Sequence, residues 1–470
     1  MRILALAFIS SVLISCASEP AKKSAIFPMP ASKSSNSNFT LRPFKEEKLA
    51  NGLRILWIKD ESLPRISLNM MVQVGSLDEE KGQEGLNSLT ASLLDQGTAK
   101  HGALALADEL DQIGAEFGHS ASSDFTTLTS SGLSPFKSQI LSLFAEIVLT
   151  PAFQEKEIER RRSVVLASIQ KQQDQPSAYA DELLDRELFG KHPYAVPVLG
   201  TKKSVSGFQR VDFLRFYHSF YRPNNSILSV VGQFDEAFQK EVRSTFEKWQ
   251  TAEIQRPAHE ASSLRPARIT LVHKAGLQQT QIRMGHLGIT RSNPDFLSFR
   301  LANVVLGGVF ASRLNQRVRD DLGLTYSIHS SSDARLEPGS FEISTFTRHE
   351  KTSQTILETE KLVRDFVKDG VTDPELDAAK ALLVGQFPAA LETPDRLAYN
   401  LMVLRRYGIS DDYLKNFEKN VGKISKTEVN QAIQRNVHPE NLQTVIYSDE
   451  RAISAELKKL GPVEKRKPVE

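Results

Sequence analysis

One order of strands and helices runs through this sequence twice, and that repetition limits its possible folds more than any single motif does. In the first half the apolar, β-branched stretches Leu53 to Ile58 and Ile66 to Val74 are read as a strand pair with period-two alternation. A helix follows, its apolar face set by Leu86, Leu89, Leu93 and Leu94, with Glu79 and Glu80 upstream near its start. Then come a helical pattern over Ala103 to Ile113, a strand over Phe125 to Gly132, a helix over Lys137 to Val148 and a long charged helix from Glu155 to Gln173. The strand Ser226 to Val231, after the turn Arg222-Pro223-Asn224-Asn225, closes the half. In the second half, strands and helices recur over Arg268 to His273, Gln281 to Leu287, Asp295 to Leu306, Phe341 to Thr347, Ser353 to Lys368 and Glu375 to Gln386. Ser138-Gln139 is answered by Ser353-Gln354, 215 residues later (353−138). A duplicated unit of this kind predicts an α+β chain of two tandem homologous domains, each a mostly antiparallel sheet packed with helices.

The boundaries follow from composition. Residues 44–248 and 268–452 form the two repeats; 249–267 is polar, holds Pro257 and Pro266, shows no periodicity and reads as a linker; 453–470 is a charged tail. With 59 Lys and Arg against 57 Asp and Glu in 470 residues, the near-balance argues against nucleic acid as a partner. The single cysteine excludes an internal disulfide. Residues 1–15 carry an apolar run, Ile3 to Ile14, too short for a bilayer span but suited to a secretory signal. The run ends in Leu13-Ile14-Ser15-Cys16, which resembles the lipobox of bacterial lipoproteins and implies cleavage before Cys16 and its lipidation. Residues 16–43, rich in Ser, Ala, Pro and Lys, read as a flexible tether whose first part, Ala17 to Asn38, reaches at most about 70 Å. The chain is thus expected to be a membrane-anchored lipoprotein facing the periplasm. The lack of Asp after Cys16 resembles the sorting signal for the outer membrane.

Dispersed motifs then point to a family. Leu49-Ala50-Asn51-Gly52-Leu53-Arg54-Ile55, Val74-Gly75-Ser76-Leu77-Asp78-Glu79, Gly85-Leu86 and Gly97-Thr98 lie in the first half, with Phe216-Tyr217, Tyr221 to Asn225 and Val231-Gly232. Leu306 to Leu314 and Arg319 through Tyr326-Ser327 lie in the second. In this order they resemble the insulinase/pitrilysin family of zinc metallopeptidases, the inverzincins, over about Leu49 to Ser448. The resemblance implies two domains of the processing-peptidase type. It also implies a zinc site that this sequence does not carry. Family enzymes place H-x-x-E-H on the first helix, where two histidines bind Zn²⁺ and the glutamate is the general base. The matching residues here are Ser88, Ala91 and Ser92, and the position of the third ligand, 76 residues on (168−92), is Ser168. Neutral hydroxyls are poor Zn²⁺ ligands, and Ala91 cannot accept a proton. No two of the ten histidines are three to five residues apart, so no relocated pair is visible. The expectation is that this chain binds no cofactor and has no catalytic residue of its own.

Other features match. In two-domain enzymes of the family an Arg and a Tyr from the half opposite the zinc help to polarise the scissile carbonyl; Arg319 and Tyr326 have that R-x₆-Y spacing. Gly307-Gly308 corresponds to a glycine-rich turn lining the gap between halves, and is also readable as a tight helix break. Ser134-Pro135-Phe136-Lys137 has the S-x-x-K spacing of penicillin-recognising hydrolases, but S-D-N, K-T-G and G-x-S-x-G are all missing. The resemblance implies a metal-free subunit that contributes Arg319 and Tyr326 to a homologous partner with intact H-x-x-E-H, which holds the zinc. Together they would act on an extended peptide outside the cytoplasm. The alternative is a non-enzymatic scaffold lipoprotein with the same fold.

Overall fold

The repetition is carried by two six-stranded sheets. The structure, a computed structural model, describes residues 40–468; the signal segment 1–15, Cys16 and the tether up to residue 39 lie outside the described residues. The first sheet contains β1 (Lys45–Lys48), β2 (Arg54–Lys59), β3 (Arg65–Val72), β4 (Glu116–Ala121), β5 (Thr126–Leu133) and β6 (Ser226–Gly232), in the order β1-β2-β6-β3-β5-β4. The second contains β7 (Arg268–His273), β8 (Thr280–Leu287), β9 (Ile328–Asp333), β10 (Ser340–Thr347), β11 (Gln443–Ser448) and β12 (Val463–Arg466), in the order β12-β7-β11-β8-β10-β9. Counted inward from the first edge, every place after the edge strand is filled by the equivalent strand of the other half. The β2–β6, β7–β11 and β7–β12 pairs are parallel and the others antiparallel.

The helices of the first half are α1 (Leu86–Leu93), α2 (Ala103–Gln112), α3 (Lys137–Leu149), α4 (Glu155–Asp174), α5 (Pro176–Phe189), α6 (Lys202–Gly207), α7 (Arg210–Phe220) and α8 (Glu236–Phe246). Those of the second begin with α9 (Phe296–Asn303), α10 (Thr352–Asp369), α11 (Asp373–Ala390) and α12 (Pro394–Arg406). Ser138 and Ser353 both fall in the first turn of their helices, α3 and α10.

Each half lends one helix to the other. Helix α5 lies on β8 and β11, where Tyr179, Leu183, Leu184 and Leu188 share a buried cluster with Val272, Val445 and Tyr447. In return α12 lies on β2, β3 and β6, and Leu397 and Leu401 join Leu56, Ile58, Met71 and Ile227 in the largest core. Both faces of the central strands are therefore covered. That explains why the expected period-two alternation is absent from the central strands: the four inner residues of β2 are all buried, as is every residue of β11. A strand packed on both faces has no solvent side to alternate with.

The linker and the tail are more ordered than their composition suggests. Residues 249–267 form no helix or strand, yet Arg256 donates to the Gln73 carbonyl at 2.7 Å and to Asn225 Oδ1 at 3.0 Å and pairs with Asp78. Further on, Ser262 Oγ donates to the Phe189 carbonyl at 3.3 Å and Arg265 to the Glu187 carbonyl at 3.1 Å, so the segment is a strap along the surface. In the tail, β12 adds an edge strand beside β7.

A buried histidine on β8 makes stability depend on pH. His286 Nδ1 donates to the Leu287 carbonyl at 2.9 Å and Nε2 accepts the His438 N–H at 3.0 Å, so the ring is held neutral against Phe341. Burial lowers its pKa to about 4. Between pH 6.5 and 4 the unfolded chain binds the extra proton, so stability falls as pH is lowered through that window, by on the order of 3 kcal/mol. Urea unfolding at a series of pH values should show this slope in the wild type and its loss in His286→Phe, whatever the variant's absolute stability.

Candidate functional site

Two local structures set the geometry of the second-half site. After α9 the chain continues as a π-helical turn, Val304–Gly308, and a second π-helical segment, Asn315–Asp321, carries Arg319. Wide turns of this kind concentrate at functional sites. The first is tied to the edge strand β9: Asn303 Nδ2 donates to the Ser330 carbonyl at 3.1 Å, and Ser330 Oγ donates to Asn303 Oδ1 at 2.7 Å. Glycine is required at 307 by this approach, because a Cβ there would lie 2.5 Å from Ser330 Oγ and 2.6 Å from Leu314 Cδ1. Gly307 is buried against the strand, whereas Gly308 is exposed.

Arg319, Tyr326, Gly307 and Gly308 line one open pocket of about 810 Å³. The Arg319 guanidinium lies 3.6 Å from the centroid of the Phe310 ring, and its Nε and Nη2 donate to Asp320 at 2.8 and 3.2 Å. This contact fixes the cation in place and is worth about 0.5–2 kcal/mol. Tyr326 sits in the bend before β9 and is 85% exposed. Its turn is pinned by Thr325, whose hydroxyl donates to the Phe346 carbonyl at 2.6 Å. A guanidinium and a free phenol beside a mobile-ligand-sized opening are suited to donating hydrogen bonds to a carbonyl oxygen. Sequence reasoning missed Phe310, which is 75% exposed and forms the platform under Arg319. The available signal was an aromatic residue two places after the glycine pair, where no core position is called for. His329, in β9, also lines the pocket, and burial lowers its pKa.

The first-half positions have another character. Ser88, Ala91 and Ser92 lie on α1, which packs on α4, the helix that carries Ser168. Ala91 and Ser92 are buried, and Ser88 is half-buried. Ser92 Oγ donates to the Leu89 carbonyl at 2.8 Å, while the exposed Ser168 donates to the Val164 carbonyl at 2.9 Å, so each hydroxyl turns back on its own helix. Residues of this chemistry do not fit a zinc ion. In the turn just after α1, Asp95 meets Arg161 of α4 at 3.8 Å, and both act electrostatically on His119 of the edge strand β4. Burial lowers the pKa of His119. Among the described residues, no three His, Cys, Asp or Glu side chains converge to hold a metal ion.

Comparison with known proteins places this geometry. Residues 54–202 match the family model described as Insulinase (Peptidase family M16), and residues 207–383 match the Peptidase M16 inactive domain. An uncharacterized zinc protease of Rickettsia bellii is 29% identical over 377 residues, 79% of this chain and 89% of that protein. A protein of Helicobacter pylori described as the non-peptidase homolog YmxG is 24% identical over 406 residues, 84% of this chain and 92% of its own. The crystal structure of a peptidase M16 inactive domain from Pseudomonas fluorescens superimposes with a TM-score of 0.79 at 26% identity, covering 87% of this chain and 98% of that one. Two matched domains and the paired sheets converge on one assignment: the chain belongs to the insulinase family, peptidase family M16.

Proposed function

We propose that this chain is the metal-free, substrate-binding subunit of a heterodimeric zinc endopeptidase that acts on peptides outside the cytoplasm, anchored to the outer membrane through Cys16. The observation that carries the reading is the convergence of Arg319, Tyr326, Gly307 and Gly308 on one open pocket in a chain whose Ser88, Ala91, Ser92 and Ser168 cannot hold zinc. Donors aimed at a carbonyl have no chemistry to assist unless another chain supplies the metal and the base. A homologous subunit with intact H-x-x-E-H would do so. The edge strand β9 borders the pocket with Ile328 and His329, ahead of the Ser330 carbonyl that Asn303 already occupies, and an extended peptide would add there.

The test is reconstitution with such a subunit. Peptide turnover should appear only in the mixture, and Arg319→Ala should lower kcat/KM by about 10²–10³ while complex formation is unchanged. Tyr326→Phe should lower it by at least about tenfold. The scaffold reading is favoured by the description of the Helicobacter pylori relative as a non-peptidase homolog. It predicts a stable complex in which neither substitution has any effect.

A further inference from the structure

The tether joins the body beside an exposed apolar corner of the first sheet. Leu41 and Phe44 pack against the largest core, and Arg42 Nη1 donates to Asp60 Oδ2 at 2.8 Å, so the segment before β1 is fixed against the β2–β3 turn, residues 60–64. In that turn Leu63 is 64% exposed, and Pro64 is exposed beside it. The turn after β5 runs alongside, because the Ser134 N–H donates to the Pro64 carbonyl at 2.9 Å. On either side of Ser134, Leu133 is 52% exposed and Pro135 is exposed. Four apolar residues from two turns thus share one end of the sheet with the tether joint.

Polar bonds, not these side chains, hold the turns. Ser134 Oγ donates to Gln233 Oε1 at 2.6 Å, and the Ser62 N–H donates to Asp60 Oδ1 at 2.9 Å. The surrounding charges are matched: Lys59 meets Glu61 at 2.8 Å, Lys137 meets Asp235 at 3.2 Å, and Arg65 lies 3.9 Å from Asp395. The Lys and Arg stems can lie along a headgroup layer with their charges in water. Such a corner gains where its leucines leave water and loses little by bringing paired charges to a membrane interface.

We propose that this corner rests on the lipid bilayer, with Leu63 and Leu133 at the boundary of headgroups and acyl chains, so that the body keeps one face to the membrane. The inference rests on the anchoring of Cys16 proposed above. From Cys16 to Thr40 are 24 residues (40−16), a reach of at most about 80 Å, which holds the corner at an effective concentration on the order of 1 mM beside the membrane. At that concentration a weak apolar contact is enough, and two leucines with two prolines supply one. A protein partner would need far more surface, about 20–30 residues a side, than this corner offers.

Cys16 is the only cysteine, and lipidation consumes its thiol, so a cysteine introduced elsewhere is a single labelling site. The full lipidated chain with Ser62→Cys is labelled with bimane and reconstituted in vesicles of phosphatidylethanolamine and phosphatidylglycerol that contain nitroxide lipid as quencher. Its comparator is Asp369→Cys, at an exposed position ending α10 in the other half. Bimane at 62 should be quenched about twofold or more, and at 369 hardly at all. Adding Leu63→Ser/Leu133→Ser should bring position 62 to the level of 369 while the chain still floats with the vesicles. Equal quenching at both positions, or quenching at 62 unchanged by the double variant, would overturn the proposal. So would a lipid-independent emission shift at 62 that grows with protein concentration, which would give the corner to a second copy of the chain. A chain that does not float removes the anchoring and this inference together; one that floats without quenching at 62 removes this inference alone.

Discussion

Replacing Asp124 with alanine should remove about 3–5 kcal/mol of stability, far more than a loop substitution ordinarily does. Asp124 lies in the turn between β4 and β5 and is buried. One carboxylate oxygen accepts the Tyr194 hydroxyl at 2.5 Å; the other accepts the Tyr407 hydroxyl at 2.8 Å and the Leu336 N–H at 2.9 Å. Its backbone carbonyl accepts Arg406 Nε at 2.8 Å. Burial, with the nearby carboxylate, raises the pKa of both phenols, so they stay protonated and remain donors. Alanine leaves all three donors without an acceptor in the junction between the halves. Asp124→Asn keeps one acceptor oxygen and should lose about half as much. Urea denaturation gives both values from the midpoint shift at constant m. A loss below about 1 kcal/mol for the alanine variant would show that the junction does not depend on this carboxylate.

The second large effect is expected at a pair of glycines that hold the start of α1. Gly85 and Gly200 have φ of +94° and +81°, and they face each other backbone to backbone. A Cβ on Gly200 would lie 2.1 Å from the Glu84 carbonyl oxygen and 2.8 Å from Gly85 Cα, while one on Gly85 would lie 2.5 Å from the Leu199 carbonyl oxygen. Gly200→Ala therefore adds the left-handed penalty of about 1–2 kcal/mol to an overlap with backbone that cannot rotate away, and about 3 kcal/mol or more should be lost. Gly82→Ala is the control. It has φ +90° but nothing within 4 Å of its Cβ, so only the conformational cost of about 1 kcal/mol should appear. Equal losses in the two variants would mean that the close approach contributes nothing.

What could be read from the residues, and what could not, divides along physical lines. Helices with one solvent face, such as α4 and α10, were legible to within a residue or two at their ends because their apolar stripes are regular. The lent helices were not. In α5 the sequence Asp181-Glu182-Leu183-Leu184-Asp185-Arg186-Glu187 mixes buried charge with buried leucine, because this helix packs on a sheet whose own surface is polar at Arg283 and Glu342. The edge strands β4 and β9 carry Gly118 and a run of serines, 330–332, so neither shows β-branched enrichment. At the site, the R-x₆-Y spacing and the loss of the zinc motif stood in the sequence as one-dimensional patterns. The stacking of Arg319 on Phe310 did not, since it depends on two π-helical turns with no simple sequence signature.

Because α5 and α12 are each clasped by the opposite sheet, prying the two halves apart would strip the cover from both sheets at once. The chain is therefore mechanically one piece, without a hinge at its midpoint. A long ligand is not admitted by parting the halves, and the waist of the molecule stays shut.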